Sequence, residues 1–202
     1  EFSPQELSIL AWACARACIK HARLFDALER EVLTASEGFN VQDLSILAWS
    51  FATVRVRDPD LYQRISSHIL PRVQALIAED LSNLAWAFAK VGMGNDVLFS
   101  ALAEEALAKL SGFEPGHISN MARASGRTAF HHRRLCHRMK MAAETRIHEF
   151  APQELYNLAT ASELLDVDDL GLLQAIGSKA ASRLRVFCSM GLRAYESRHR
   201  RL

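Results

Sequence analysis

The chain has 202 residues, half of them hydrophobic and 23% charged, with a net charge of +1 at pH 7. This balance excludes a disordered tail, and no apolar run is long enough to span a bilayer. No secretory signal opens the sequence, which starts and stops inside a repeat pattern, so a segment of a longer protein or a mature chain is expected.

The pattern has a period of 37 residues: Leu7, Ser8, Leu10, Ala11 and Trp12 align with Leu44, Ser45, Leu47, Ala48 and Trp49, then with Leu81, Ser82, Leu84, Ala85 and Trp86. The same shift gives Ile118, Ser119, Asn120, Met121 and Ala122, then Leu155, Tyr156, Asn157, Leu158 and Ala159. A fixed period of this length marks a stacked array of supersecondary units. The expected units are residues 2–38, 39–75, 76–112, 113–149 and 150–186, with a partial sixth at 187–202.

In each unit the first apolar residue (Phe2, Phe39, Leu76, Phe113, Phe150, Phe187) precedes another by five positions (Leu7, Leu44, Leu81, Ile118, Leu155, Leu192), the spacing of a hydrophobic staple around a helix start. Ser3 and Glu6 form an expected capping box around Pro4, Asn40 caps the second unit, and Pro115 and Pro152 take the first helical position in the fourth and fifth. Leu81, Leu84, Ala85 and Phe88 give the first helix its buried stripe, and Ser82, Ala85 and Ala89 let neighbouring helices approach closely. This helix should stop near Gly92 and Gly94, and in the second unit before Asp58 and Pro59. The second helix follows on Leu24, Phe25, Leu28 and Val32 and their counterparts, with Pro71 splitting it in the second unit and Gly38 and Gly112 ending it as C′ glycines. The expected fold is all-α, a solenoid of helical hairpins in one domain over residues 1–202.

Chemistry-bearing clusters are few. Cys14 and Cys18 share a helix face as expected buried, reduced thiols, and with Cys136 and Cys188 they show neither a disulfide framework nor zinc spacing. His131, His132, Cys136 and His137 lack a second ligand cluster, so no metal or other cofactor is expected. Asp166, Asp168 and Asp169 suit a helix start. With no nucleophile motif or phosphate loop, neither an enzyme nor a small-molecule substrate is expected.

The run from Phe2 to Ala13 and the stretch from Leu81 to Lys90 resemble the first-helix signature of octotricopeptide repeats, in the 37-residue heptatricopeptide form. The resemblance weakens where Arg123 and Thr160 replace tryptophan. It implies organellar RNA work, mitochondrial or alternatively plastid: binding, stabilising or processing transcripts, or holding RNA in an organellar ribosome.

Two features could carry such binding. One is a ribbon on the first helices, Ile9, Ile46, Asn83, Asn120 and Asn157, with Arg16, Thr53, Lys90, Arg127 and Leu164 seven residues on, where asparagine reads base edges and cations hold phosphate. The other is the cationic fourth unit: Arg123, Arg127, Arg133, Arg134, Arg138, Lys140 and Arg146, interleaved with histidines, and followed at the chain end by Arg193, Arg198, Arg200 and Arg201. Residues 1–112 hold 10 lysines and arginines against 14 acids, net −4, and residues 113–202 hold 14 against 9, net +5. A protein scaffold within an organellar assembly, contacted along the acidic half, is the alternative. Trp12, Trp49 and Trp86, with Tyr62 and Phe99, are expected in the core.

Overall fold

The computed structural model describes residues 2–35, 38–93, 96–128, 132–164 and 171–182. Helix α1 spans Pro4–Arg16, α2 Ala22–Ala35, α3 Val41–Val54, α4 Pro59–Ile69, α5 Ala78–Val91, α6 Asp96–Ala108, α7 Pro115–Arg127, α8 Arg133–Thr145 and α9 Pro152–Leu164. A further helix, α10, covers 171–182. Among the described residues there is no strand, and the fold is an all-α solenoid. The odd-numbered helices begin 37 residues apart.

Each odd helix packs along its length on the next odd helix, forming an A layer, whereas the even helices touch one another more sparsely in a B layer. Small side chains explain the difference: Ser8, Ala11, Ser45, Ala48, Ala52, Ser82, Ala85 and Ala89 are all buried between A helices.

Local signals set the helix starts. Ser3 Oγ accepts from the Glu6 N–H at 3.3 Å while Glu6 accepts from the Ser3 N–H at 2.8 Å. Asn40 and Asp43 repeat the exchange, and Asp58 accepts from the Leu61 N–H at 2.9 Å. Each such cap contributes about 1 kcal/mol. At Pro71 the second helix of its unit is split: α4 ends at Ile69 and a 3-10 turn, Leu70–Ala75, continues the chain.

Packing reuses two contacts between units and one within a unit. Phe25 of α2 meets Phe51 of α3 edge-on at 5.7 Å, and Tyr62 of α4 meets Phe88 of α5 in the same way at 5.2 Å. Ser8 donates to Asp43 at 3.1 Å, and Ser45 to the Asp80 carbonyl at 3.3 Å. Burial raises the Asp80 carboxyl above its ordinary range. At the far end of the B helices Arg72 donates to the Phe39 carbonyl, Lys109 to that of Leu76 and Arg146 to that of Phe113, in each case 33 residues back. These clamps tie the B-helix ends of the second, third and fourth units to the openings of their own units.

Three local expectations are corrected. Gly112 lies in a 3-10 turn, and neither it nor Gly38 has positive φ, so neither is a left-handed C′ glycine. Cys18 lies beyond the end of α1, exposed, and does not share a buried face with the half-buried Cys14. The left-handed position instead follows the A helices: Cys18 at φ 57°, Arg55 at φ 69° and Gly92 at φ 74° occupy one place in the period. A residue with a Cβ costs about 1–2 kcal/mol there, which glycine avoids.

The tryptophans are the third correction. Tyr62 and Phe99 are core residues, but Trp12 is 44% exposed and Trp49 and Trp86 are half-buried on the open side of the A layer. The buried stripe of α5 is filled by Leu81, Leu84, Ala85 and Phe88, which leaves the tryptophan position at its margin. Phe2, at the start of the first unit with no preceding hairpin among the described residues, is 68% exposed where Phe39, Phe113 and Phe150 are buried.

Candidate nucleic-acid interface

The open face of the A layer is a grid fixed by helical spacing. On α5, Asn83, Trp86 and Lys90 are three and four residues apart and share one face. The same positions are Ile9, Trp12 and Arg16 on α1, Ile46, Trp49 and Thr53 on α3, and Asn120, Arg123 and Arg127 on α7. Asn83 and Asn120 are half-buried on this face. Asn157 is buried in α9, where its Oδ1 accepts from Gln153 at 3.4 Å. The Leu164 side chain is not among those described.

Aromatic and cationic side chains interlock along the grid. Trp49 and Trp86 stack with centroids 6.0 Å apart and planes 26° from parallel. Lys90 Nζ sits 4.2 Å from the Trp86 centroid, and the Arg16 guanidinium 5.3 Å from that of Trp12. An i,i+4 pair of tryptophan and cation is a helical cation–π unit, which holds a long basic side chain in place.

At the C-terminal ends of α3, α5 and α7 the face deepens into a cleft of about 380 Å³, lined by Ala52, Arg55, Arg57, Trp86, Lys90, Val91, Arg123 and Arg127. Five of these eight are cations and none is acidic. Among the described residues none of the five is in an ion pair. Burial, and then the charges of Arg123, Arg55 and Arg127, push the Lys90 ammonium below its usual range. Nearby Thr53 keeps a buried hydroxyl without a hydrogen-bond partner. Arg55 holds its side chain at this rim from the left-handed position that its counterpart fills with Gly92.

The α8 cations are arranged differently. Arg133, Arg134, His137 and Arg138 are exposed on the B layer. Lys140 pairs with Glu144 at 3.8 Å, and His132 with Glu104 at 3.0 Å. Arg146 donates to Glu149 at 2.6 and 2.9 Å and to the Phe113 carbonyl at 2.7 Å, so its guanidinium serves the clamp between unit ends. The structure thus brings Lys90, Arg123 and Arg127 together and sets Arg133, Arg134 and Arg138 on the other layer. Among the described residues no group of three or more His, Cys, Asp or Glu side chains is placed to hold a metal ion, and no helix is long and apolar enough to cross a membrane. His131, Asp166, Asp168, Asp169, Cys188 and the terminal arginines 193, 198, 200 and 201 lie outside the described residues.

Arg55, Arg57 and the part played by Trp86 were not foreseen. The two arginines lie past the helix in the half of the chain with net negative charge, and their signal was positional: Arg55 is one period before Gly92, at the rim where Lys90 and Arg127 emerge.

An uncompensated cationic cleft on a helical-repeat face matches the chemistry of polyanion binding. The model of the RESC6 family, RNA-editing substrate-binding complex 6 protein, matches residues 1–197. The chain belongs to this family. No curated protein matches it. The likeness to octotricopeptide repeats rests on the repeat residues alone, whereas the family match spans nearly the whole chain.

Proposed function

We propose that this chain is a noncatalytic RNA-binding subunit of an RNA-editing substrate-binding complex, acting in the mitochondrion, and that the open face of the A layer receives single-stranded RNA. The observation that carries this reading is the cleft of Arg55, Arg57, Lys90, Arg123 and Arg127, five cations with no acid in its lining. A folded protein gains nothing from holding like charges together unless an anion offsets them, and phosphate is the anion that an RNA-editing family meets. In this arrangement phosphates lie over the cationic edge, bases reach the tryptophan row, and Asn83 and Asn120 meet base edges. Arg133, Arg134 and Arg138 on α8 offer a second, backbone-only contact. The division into repeats 2–38, 39–75, 76–112, 113–149, 150–186 and a partial sixth sets the spacing of these positions.

A second reading, a protein scaffold in the same complex, is favoured by the acidic balance of residues 1–112. The test is binding of fluorescently labelled single-stranded RNA to the chain across a salt series. Affinity falling with a log–log slope of about −0.7 for each phosphate held supports the RNA reading. Absence of binding at low salt by a chain with helical circular dichroism defeats it and leaves the scaffold.

A further inference from the structure

We infer that the cleft between the ends of α3, α5 and α7 is a site for closely spaced phosphates, at least two held at once, and not a single point on an extended backbone. The inference rests on the RNA reading above but specifies what this site takes. Its basis is convergence. Arg55 and Arg57 follow α3, Lys90 ends α5, and Arg123 and Arg127 belong to the last turns of α7, so three successive A helices deliver formal charges into one cleft of about 380 Å³. An extended strand crossing a solenoid at one nucleotide per unit would meet about one cation per helix. Here five cations face a common volume, more than one phosphodiester charge can neutralise.

Two of the five cations carry features of their own. The Trp86 ring, itself stacked on Trp49, supports Lys90 at 4.2 Å. Arg55 occupies a left-handed backbone position at φ 69°, a conformation that disfavours any residue with a Cβ and is filled by glycine one period later. The depressed Lys90 ammonium agrees with a site whose charges await a counterion. Guanidinium forks on several sides suit a ligand with many non-bridging phosphate oxygens, since each fork donates to two of them. Such a ligand has two sources, a sharply turned RNA backbone or an oligophosphate at an RNA end.

The experiment titrates the 202-residue chain with inorganic tripolyphosphate and, at matched ionic strength, with orthophosphate, following heat and thermal stability. Each salt is then used to compete with 5′-hydroxyl and 5′-triphosphorylated forms of one RNA. The expected result is tripolyphosphate binding at least roughly ten times tighter than orthophosphate. Tripolyphosphate binding should be lost in a Lys90→Gln, Arg127→Gln variant and in Arg55→Gly, and kept in an Arg23→Gln, Arg30→Gln variant of the exposed α2 surface. Arg55→Gly separates binding from folding, because glycine relieves the backbone while deleting one charge. Equal displacement of both RNA forms assigns the site to a turned backbone, and preference for the triphosphorylated form assigns it to a chain end. Equal response to the two inorganic salts, or tripolyphosphate binding that survives the cleft variants, overturns the inference. If RNA binding is lost in the cleft variants while tripolyphosphate never competes, only this inference fails. If tripolyphosphate binds the cleft and neither RNA does, the site stands and the RNA reading falls.

Discussion

The cleft at the ends of α3, α5 and α7 and the outer face of α8 are both rich in arginine, yet only the cleft gathers its cations on one volume without an acid. The α8 cations are close in sequence, solvated, and in part matched by acids such as Glu144. The cleft cations come from positions 55 to 127 and converge on one volume lined by no acid, with Lys90 and Arg123 half-buried there and Arg55, Arg57 and Arg127 exposed at its rim. Charges spread over a solvated face act singly and are screened by salt, whereas charges that converge on one cleft add their fields at one place. Density of arginine along a chain is therefore a poorer guide to a polyanion site than convergence in space.

The largest effect should come from the cleft. A Lys90→Gln, Arg123→Gln, Arg127→Gln variant is expected to lose single-stranded RNA affinity by about a thousandfold, at about 1.5 kcal/mol for each charged hydrogen bond removed, and to flatten the salt slope by roughly 2. Fluorescence anisotropy across salt checks both numbers. An unchanged slope would erase the distinction between the two regions.

Arg146→Ala is expected to destabilise the fold by about 2 kcal/mol, because it removes charge-assisted bonds to Glu149 and the Phe113 carbonyl, and to leave the salt slope of RNA binding unaltered. Denaturant melts read the first effect and the RNA titration the second. A lost slope with unaltered stability would return Arg146 to the binding set.

Arg133→Gln, Arg134→Gln, Arg138→Gln should change RNA affinity only about threefold and stability by less than about 0.5 kcal/mol, as exposed substitutions do. If this variant weakens binding more than the cleft variant, the B layer carries the RNA.

The smallest effect is a pH dependence. Lys90 is held below its ordinary 10.5 by burial and then by Arg123, Arg55 and Arg127. Between the lowered folded value and 10.5 the unfolded chain binds the proton more readily than the folded one, so stability rises with pH across that interval. Lys90→Gln should remove this part of the rise. Melting temperatures of the two proteins, followed from neutral pH to 10.5, measure the difference. Parallel curves would show that neither burial nor the neighbouring arginines lower the Lys90 ammonium.

The sequence by itself determined the architecture and its period. Capping signals at Ser3, Asn40 and Asp58, the staple residues and the apolar stripe act between neighbours a few positions apart, so their physics is local and legible in order. It also placed Asn83, Lys90, Arg123 and Arg127 on the first helices, because a helix converts spacing into a face. What only the tertiary structure decided was which side of the stripe the tryptophans take, that Arg146 is spent on a carbonyl 33 residues back, and that Arg55 and Arg57 meet the α7 arginines. Those outcomes depend on how closely adjacent A helices pack and on how the chain turns after each of them. Stacking sets these between units, so no single stretch of sequence encodes them.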